Sequence, residues 1–152
     1  MKDKEQFSKS FREVQPKFTR ICSRNLNQSK LTMPQFALLN VLSSAGTIPM
    51  TDFSEKLHIT KPAVTNLVDR LEKNNYLKRT GHPDDRRISL VQIQPKGKRL
   101  VRDMQTTILS FLLTAFEKFD ASERQIITRF YILLSETMDQ YLVKNEKSRK
   151  AK

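Results

Sequence analysis

The sequence predicts a mainly α-helical protein with one small β-hairpin. Along most of the 152 residues, apolar side chains recur at steps of three and four, which is the spacing of a helix that buries one face. Two short strand-like runs, 76–80 and 88–93, lie on either side of the turn-forming residues Gly81-His-Pro-Asp84, as in a hairpin. The length suits a single ordinary hydrophobic core.

A first helix is predicted close to the amino terminus and should extend to about Leu26. The apolar residues that share its face are Phe7, Phe11, Val14, Phe18 and Ile21. Pro16 lies within this pattern, and because proline lacks the N–H that a helix interior needs, a kink or a restart is predicted there.

The segment Leu31-Thr-Met-Pro-Gln-Phe36 predicts the start of a second helix. Thr32 and Gln35 have the spacing of a capping box, and Gly46 suits the end of the helix. Residues 31–51 carry no charged side chain, but their polar and proline residues indicate a buried helix and a turn and not a membrane span.

Two more helices are predicted close together in the sequence. Thr51 is a candidate cap for a short helix, and Thr60-Lys-Pro62 opens a longer one. So short a connection predicts a helix-turn-helix, whose second helix could enter the major groove of DNA.

The second of these helices separates into two faces. Its predicted inward residues are Val64, Leu67, Val68 and Leu71. Its predicted outward residues are Lys61, Thr65, Asn66, Asp69, Arg70 and Lys73. The outward side chains could reach base edges or phosphates, although an ordinary hydrated helix face would look the same.

A hairpin after a helix-turn-helix predicts a winged helix. The motifs that carry a family resemblance are Thr60-Lys-x-x-Val-Thr65, Leu67-Val-Asp-Arg-Leu-Glu72, Tyr76-Leu-Lys-Arg79, Asp85-Arg-Arg87 and Gly97. Over roughly residues 31–100 the chain resembles the MarR family of bacterial transcription regulators. The resemblance implies a subunit that dimerises through its terminal helices and binds a pseudopalindromic operator. It also implies an effector, for which small aromatic or phenolic ligands are typical of many members, and oxidants or metals of a subset.

Long helices are predicted after the hairpin as well. One begins after Gly97, and Asp120-Ala-Ser-Glu123 resembles the capped start of the last. Residues 1–30 and 100–143 are therefore assigned to a helical dimerisation layer, and residues 31–99 to the winged helix-turn-helix. A monomeric helical bundle is the alternative to the dimer. The basic tail, 144–152, is expected to be disordered because it lacks apolar residues that could pack.

The charge distribution favours a polyanionic partner such as DNA. The chain has 28 Lys and Arg against 16 Asp and Glu, a net charge of +12. Residues 1–30 and 51–99 each carry +5, whereas residues 100–143 carry −2. The charged amino terminus does not resemble a secretory signal, so a cytoplasmic protein with no membrane partner is expected.

The predicted DNA-binding residues fall in the recognition helix and in the wing. Those of the helix are Thr60, Lys61, Pro62, Thr65, Asn66 and Arg70, and those of the wing are His82, Asp85, Arg86 and Arg87. In an extended segment Asp85 and Arg87 would share a side, so the carboxylate is expected to hold the guanidinium. The resemblance implies that Arg87 enters the minor groove, and Arg86 would then reach a phosphate.

Other chemistry finds little support in the sequence. No catalytic set, glycine-rich phosphate loop or Cys/His cluster is present, so neither an enzyme nor a cofactor or metal site is predicted. The single cysteine, Cys22, is expected to be a buried, inert thiol, with a redox-responsive regulator as the alternative. Another alternative is a winged helix that binds protein. That role would not require the predicted surface cations Lys61, Lys73, Lys78, Arg79, Arg86 and Arg87.

Overall fold

The computed structural model describes residues 2–85 and 87–150, with side chains described up to residue 143. Among these residues the chain forms six α-helices and three short β-strands. The helices are α1 Lys2–Gln28, α2 Met33–Ala45, α3 Asp52–Leu57, α4 Lys61–Lys73, α5 Pro95–Phe116 and α6 Ala121–Lys150. The strands are β1 Ile48–Pro49, β2 Leu77–Gly81 and β3 Ser89–Ile93. The predicted fold class, a mainly helical winged helix-turn-helix with helical flanks, is confirmed.

The three strands form one antiparallel sheet in the order β1-β3-β2. Strands β2 and β3 are the predicted hairpin, with Leu77 opposite Ile93. Strand β1 was not predicted, and its Ile48 lies opposite Val91. Because β1 directly precedes the helix-turn-helix, the sheet joins the start of that motif to the base of the wing.

One buried cluster joins the helix-turn-helix, the sheet and the nearby ends of α1 and α5. Phe53 of α3 is fully buried at its centre, and Leu26 and Val101 bring α1 and α5 into it. Helix α4 contributes the predicted residues Val64, Val68 and Leu71, with Leu67 partly buried beside them. Full burial of each such side chain contributes about 1.5–3 kcal/mol, so this cluster fixes the orientation of α4.

Helix α1 is continuous through Pro16, so the predicted restart does not occur. The carbonyl that loses its helical donor there lies on an exposed stretch, where water can replace the missing bond. Cys22 lies on the apolar face as predicted, but it is only partly buried where it packs against the core.

The start of α5 is packed closely against the base of the wing, at Tyr76 directly before β2 and at Ile93 of β3. A Cβ atom on Gly97 would lie 2.3 Å from the carbonyl oxygen of Tyr76 and 2.8 Å from Cγ1 of Ile93. The same carbonyl accepts the main-chain N–H of Gln94 at 2.9 Å. Helix α5 begins at Pro95, before the glycine after which it was predicted to begin.

The chain divides into two compact units, Met1–Ile108 and Leu109–Lys152. The boundary falls inside α5, whereas the sequence groups residues 1–30 with 100–143. The first unit therefore contains α1, the winged helix-turn-helix and the first part of α5.

In the second unit, Asp120 caps α6 as predicted. Its carboxylate accepts the main-chain N–H groups of Ser122 and Glu123, at 2.8 and 2.9 Å, and the Glu123 carboxylate accepts the N–H of Asp120 at 2.9 Å. Helix α6 extends to Lys150, so residues 144–150 are helical where a disordered tail was predicted for residues 144–152, and residues 151 and 152 lie outside the described residues. Lysine, arginine and glutamate are good helix formers and add little cost when an existing helix is extended.

Much of the apolar surface of the second unit is exposed. Ile126 and Met138 of α6 are 68% and 58% exposed. A cavity of about 470 Å³ lies between the end of α5 and the start of α6. Its lining is Leu109, Leu112, Leu113, Ala115, Phe116, Phe119, Ile127, Thr128 and Tyr131. In the part of the chain that the structure describes, none of the helices has the length and hydropathy of a membrane span.

Candidate nucleic-acid interface

The first residues of α4 fix the position at which the helix begins. The hydroxyl of Thr60 accepts the main-chain N–H of Ala63 at 3.4 Å, and Pro62 lies in the first turn, where no N–H is required. The preceding turn passes through His58, which has a left-handed backbone with φ 54°. This short turn brings α3 against α4.

Thr51 does not cap α3 in the predicted way. Its backbone is already helical and its hydroxyl makes no capping bond, while its carbonyl accepts the Ser54 hydroxyl at 2.9 Å. The cap prediction failed because Thr51 belongs to a turn that continues into the helix.

The predicted helix residues Lys61, Pro62, Thr65, Asn66 and Arg70 are all exposed on α4. Within the described part of the chain, the side chains of Lys61, Asn66 and Arg70 have no hydrogen-bond or ion-pair partner. The Thr65 hydroxyl donates to the carbonyl of Lys61 at 3.1 Å and retains its lone pairs as acceptors. This face therefore presents amide, hydroxyl and cationic groups.

The wing loop is closed by its own hydrogen bonds. The N–H of His82 donates to the Ile88 carbonyl and the N–H of Ile88 donates to the Asp85 carbonyl, both at 3.1 Å. The ring Nδ1 of His82, which is half-buried, accepts the N–H of Asp84 at 3.2 Å. Arg86 lies outside the described residues.

Asp85 acts differently from the prediction. Its carboxylate accepts the main-chain N–H of Arg87 at 2.9 Å, so it orders the backbone of the turn and not the guanidinium. The prediction assumed an extended chain, whereas β3 begins only at Ser89. The exposed guanidinium of Arg87 is left without a partner among the described side chains.

A cleft of about 390 Å³ is lined by residues of both α4 and the wing. Lys61 and Thr65 of α4 line it together with Arg87 of the wing. The rest of its lining is Pro49, Met50, Thr51, Ser54, Val64, Ile88 and Ser89. The sequence did not predict that the hydroxyls of Thr51 and Ser54 would line this cleft. A helix-turn-helix packs its first helix against the start of the second, and this spacing could have indicated them.

Arg79 was counted among the exposed cations of this surface, but two acids of α4 bind it. Its guanidinium donates to the carboxylate of Asp69 at 2.5 Å and to that of Glu72 at 2.6 Å. Burial lowers the pKa of Arg79, but the hydrogen bonds and charges of the two acids outweigh burial and raise it. Counting charges along the sequence cannot reveal such pairing.

The sequence of the chain is similar to helix-turn-helix regulators. Residues 31–89 match the sequence model of the MarR family. The uncharacterised HTH-type transcriptional regulator YsmB of Bacillus subtilis (strain 168) is 31% identical over 113 residues, which are 74% of this chain and 77% of YsmB.

Solved structures agree with the fold over most of the chain. A MarR family protein from Bacillus stearothermophilus is 22% identical with a TM-score of 0.75, over 91% of this chain and 96% of that protein. MepR of S. aureus in a complex with DNA is also 22% identical, with a TM-score of 0.69, over 86% of this chain and 98% of MepR. Both likenesses concern the fold.

Proposed function

Because the chain belongs to the MarR family of transcription regulators, we propose that it is a DNA-binding repressor that acts as a homodimer on a pseudopalindromic operator. It is a helix-turn-helix transcriptional regulator and not an enzyme. The observation that carries the DNA-binding proposal is the cleft at which Lys61 and Thr65 of α4 meet Arg87 of the wing. A cytoplasmic location belongs to the same proposal.

Helix α4 reads the major groove in this proposal. The exposed amide of Asn66 and the hydroxyl of Thr65 can donate to and accept from base edges, and such contacts carry sequence information. Lys61 and Arg70 bind phosphates or a guanine edge. Thr60 and Pro62 set the position of the first turn.

The wing contacts the adjacent minor groove and backbone. Arg87 enters the minor groove, where a narrow, electronegative floor attracts arginine without a base-specific pattern. Arg86 and His82 are assigned to neighbouring phosphates. Asp85 orders the turn that carries Arg87.

The homodimer is supported by apolar surface at both ends of the chain. Phe7 and Phe11 of α1 are 56% and 60% exposed, and α6 exposes large apolar side chains from Ile126 to Val143. Large apolar side chains exposed in such numbers are typical of protein–protein interaction surfaces. The net charge of +5 on residues 1–30 and of −2 on residues 100–143 would favour contact between the ends of two copies.

Release by a small-molecule effector completes the proposal. The cavity of about 470 Å³ in the second unit lies within the range of small-molecule sites, about 300–1,000 Å³. Its aliphatic and aromatic lining suits a small aromatic or phenolic compound. Two alternatives stay open: a regulator that responds to oxidants through Cys22, and a winged helix that binds protein.

The test is selection of bound fragments from the source genome, followed by footprinting of the most enriched fragments. We expect protection of two dyad-related half-sites whose centres lie about 34–36 Å apart, one helical turn of DNA. A reporter gene placed behind that site should be expressed more when the protein is deleted. Failure to enrich any sequence over random fragments would contradict the proposal and favour the protein-binding alternative.

A further inference from the structure

One strip of α4 faces the wing along the whole length of the helix. Lys61, Thr65 and Asp69 follow one another at steps of four, and Glu72 comes three residues later, so all four lie on the same side. At the amino-terminal end of this strip, Lys61 and Thr65 line the cleft that Arg87 also lines. At its carboxyl-terminal end, Asp69 and Glu72 bind Arg79 of β2.

Glu72 binds the backbone of β2 as well as the side chain of Arg79. Its Oε1 accepts the main-chain N–H of Arg79 at 2.7 Å, while its Oε2 accepts the guanidinium. Strand β2 lies at the edge of the sheet, so its outward N–H groups have no neighbouring strand to donate to. The carboxylate of Glu72 therefore satisfies one of these groups and ties the strand to the helix.

We propose that Asp69, Glu72 and Arg79 form a clamp that sets the position of the wing relative to the recognition helix, so that α4 and Arg87 engage DNA together. Arg79 is then a positioning residue and not a DNA contact. This inference rests on the proposed DNA-binding function.

The clamp is joined to the wing tip through the hairpin. Arg79 lies opposite Val91 in the register of β2 and β3, and β3 leads back at Ser89 to the turn that carries Arg87. If the angle between β2 and α4 changes at Arg79, the wing tip therefore moves with the hairpin, because it lies just beyond the last paired residues, Gly81 and Ser89. When the protein binds DNA, a displaced wing would hold Arg87 away from the minor groove next to the major groove that α4 occupies.

The clamp contributes little to global stability. The side chains of Arg79, Glu72 and Asp69 are 28%, 34% and 54% exposed, and ion pairs of this exposure are largely screened by water. Its loss should therefore affect DNA binding and local motion of the wing more than the melting temperature.

Arg79 could be either a DNA contact or a positioning residue. These two roles predict opposite changes in DNA affinity for one variant. Asp69→Ala/Glu72→Ala removes both acids, frees Arg79 and places the best helix former at both sites. If Arg79 were a DNA contact masked by the acids, this variant would bind DNA more tightly, because two negative charges near phosphates are gone. If the clamp positions the wing, the variant binds about tenfold more weakly or worse, as expected when contacts of an arginine are lost.

The experiment compares the full-length wild type, Asp69→Ala/Glu72→Ala and the matched control Asp3→Ala/Glu5→Ala, which removes two acids from α1. Titrations use the DNA fragment selected by the wild type at one salt concentration. Adding Arg87→Ala to the clamp variant should cost less than about threefold, because the wing is already displaced, whereas Arg87→Ala alone should cost about tenfold or more. Two further variants, Arg79→Met and Lys78→Met, each remove one cation. Only Arg79→Met should disturb the wing.

A measurement without DNA separates the clamp from the function. Amide hydrogen exchange at Arg79, whose N–H donates to Glu72, should be about tenfold faster or more in Asp69→Ala/Glu72→Ala, with unchanged exchange in the helical core. Unchanged exchange along β2 would overturn the clamp even if the wild type proved to bind no DNA. Tighter DNA binding by Asp69→Ala/Glu72→Ala would overturn it as well.

Discussion

The side chain of Arg87 is exposed, while its backbone is held by a hydrogen bond. Its N–H is bonded to Asp85 while its guanidinium has no partner among the described side chains, so its charge is free for a ligand. We expect Arg87→Ala to weaken operator binding by about 1–3 kcal/mol, with little change in melting temperature because no described contact of that side chain is lost. Titration of one operator fragment and a thermal melt of the same sample check both parts. A large fall in melting temperature would show that the residue is needed for the fold.

Asp85 offers a test in which position and charge predict opposite results. Asp85→Ala removes an acid near phosphates, so electrostatics alone predicts tighter binding. Because the carboxylate holds the turn ahead of Arg87, we expect weaker binding instead. The same titration at fixed salt decides between them, with Asp84→Ala as the control, since the Asp84 carboxylate accepts no described hydrogen bond. Tighter binding by Asp85→Ala alone would mean that the acid does not order the wing for DNA.

Asn66 is the side chain on α4 best suited to read a base. Its amide is exposed and unpartnered in the described part of the chain, and an amide can bond adenine at two positions. Asn66→Ala should cost about 1–3 kcal/mol per base contact and should also change the preferred sequence. Fragment selection repeated with the variant measures the preference. If every sequence were weakened equally, Asn66 would be a backbone contact.

At the scale of the element, α6 depends on an acid at its start. The N–H of Glu123 and the hydroxyl and N–H of Ser122 stabilise the charged carboxylate of Asp120 and lower its pKa below 3.8. A lowered pKa means that the stabilisation is present above the unfolded value and is lost as pH falls through the folded value. The wild type should therefore lose melting temperature more steeply than Asp120→Asn as the pH falls below about 5. Parallel curves would show that the cap contributes nothing.

The elements differ in how well the sequence predicts them. The hairpin and α4 follow from apolar residues that are buried in the core, whereas α1 and α6 follow from the helical spacing of apolar residues that are mostly exposed. Strand β1 could not be predicted, because two residues form no period and Pro49 lacks an N–H. Its pairing depends on Val91 and Leu90, which lie more than forty residues away along the chain.

The candidate site was predictable in composition but less so in geometry. The face of α4 follows from helical spacing, and Asn66 and Arg70 are exposed as that spacing requires. The bond from Asp85 to the backbone and the pairing of Arg79 with two acids depend on a turn and on a tertiary contact. The first is a local turn that an Asp allows but does not require, and the second is not encoded in local spacing.

At the scale of the whole molecule, exposed apolar side chains on α1 and α6 predict a dimer in the absence of DNA. Sedimentation at micromolar concentration should show the mass of two 17.8 kDa chains. Removal of residues 121–152 should abolish dimerisation and tight operator binding, because two linked half-sites are then read separately. Removal of residues 144–152 alone is the control and should leave the dimer intact. A full-length chain that sediments as a monomer would contradict this assembly.

The missing side chain at Gly97 limits how far this sequence can diverge. Ile93 could move away from an added methyl group, but the carbonyl of Tyr76 is main chain and is held by the N–H of Gln94. Any other amino acid would push α5 away from the base of the wing. Relatives that read different operators or respond to different compounds should therefore still share a glycine here, since the requirement comes from the contact between α5 and the base of the wing and not from any ligand.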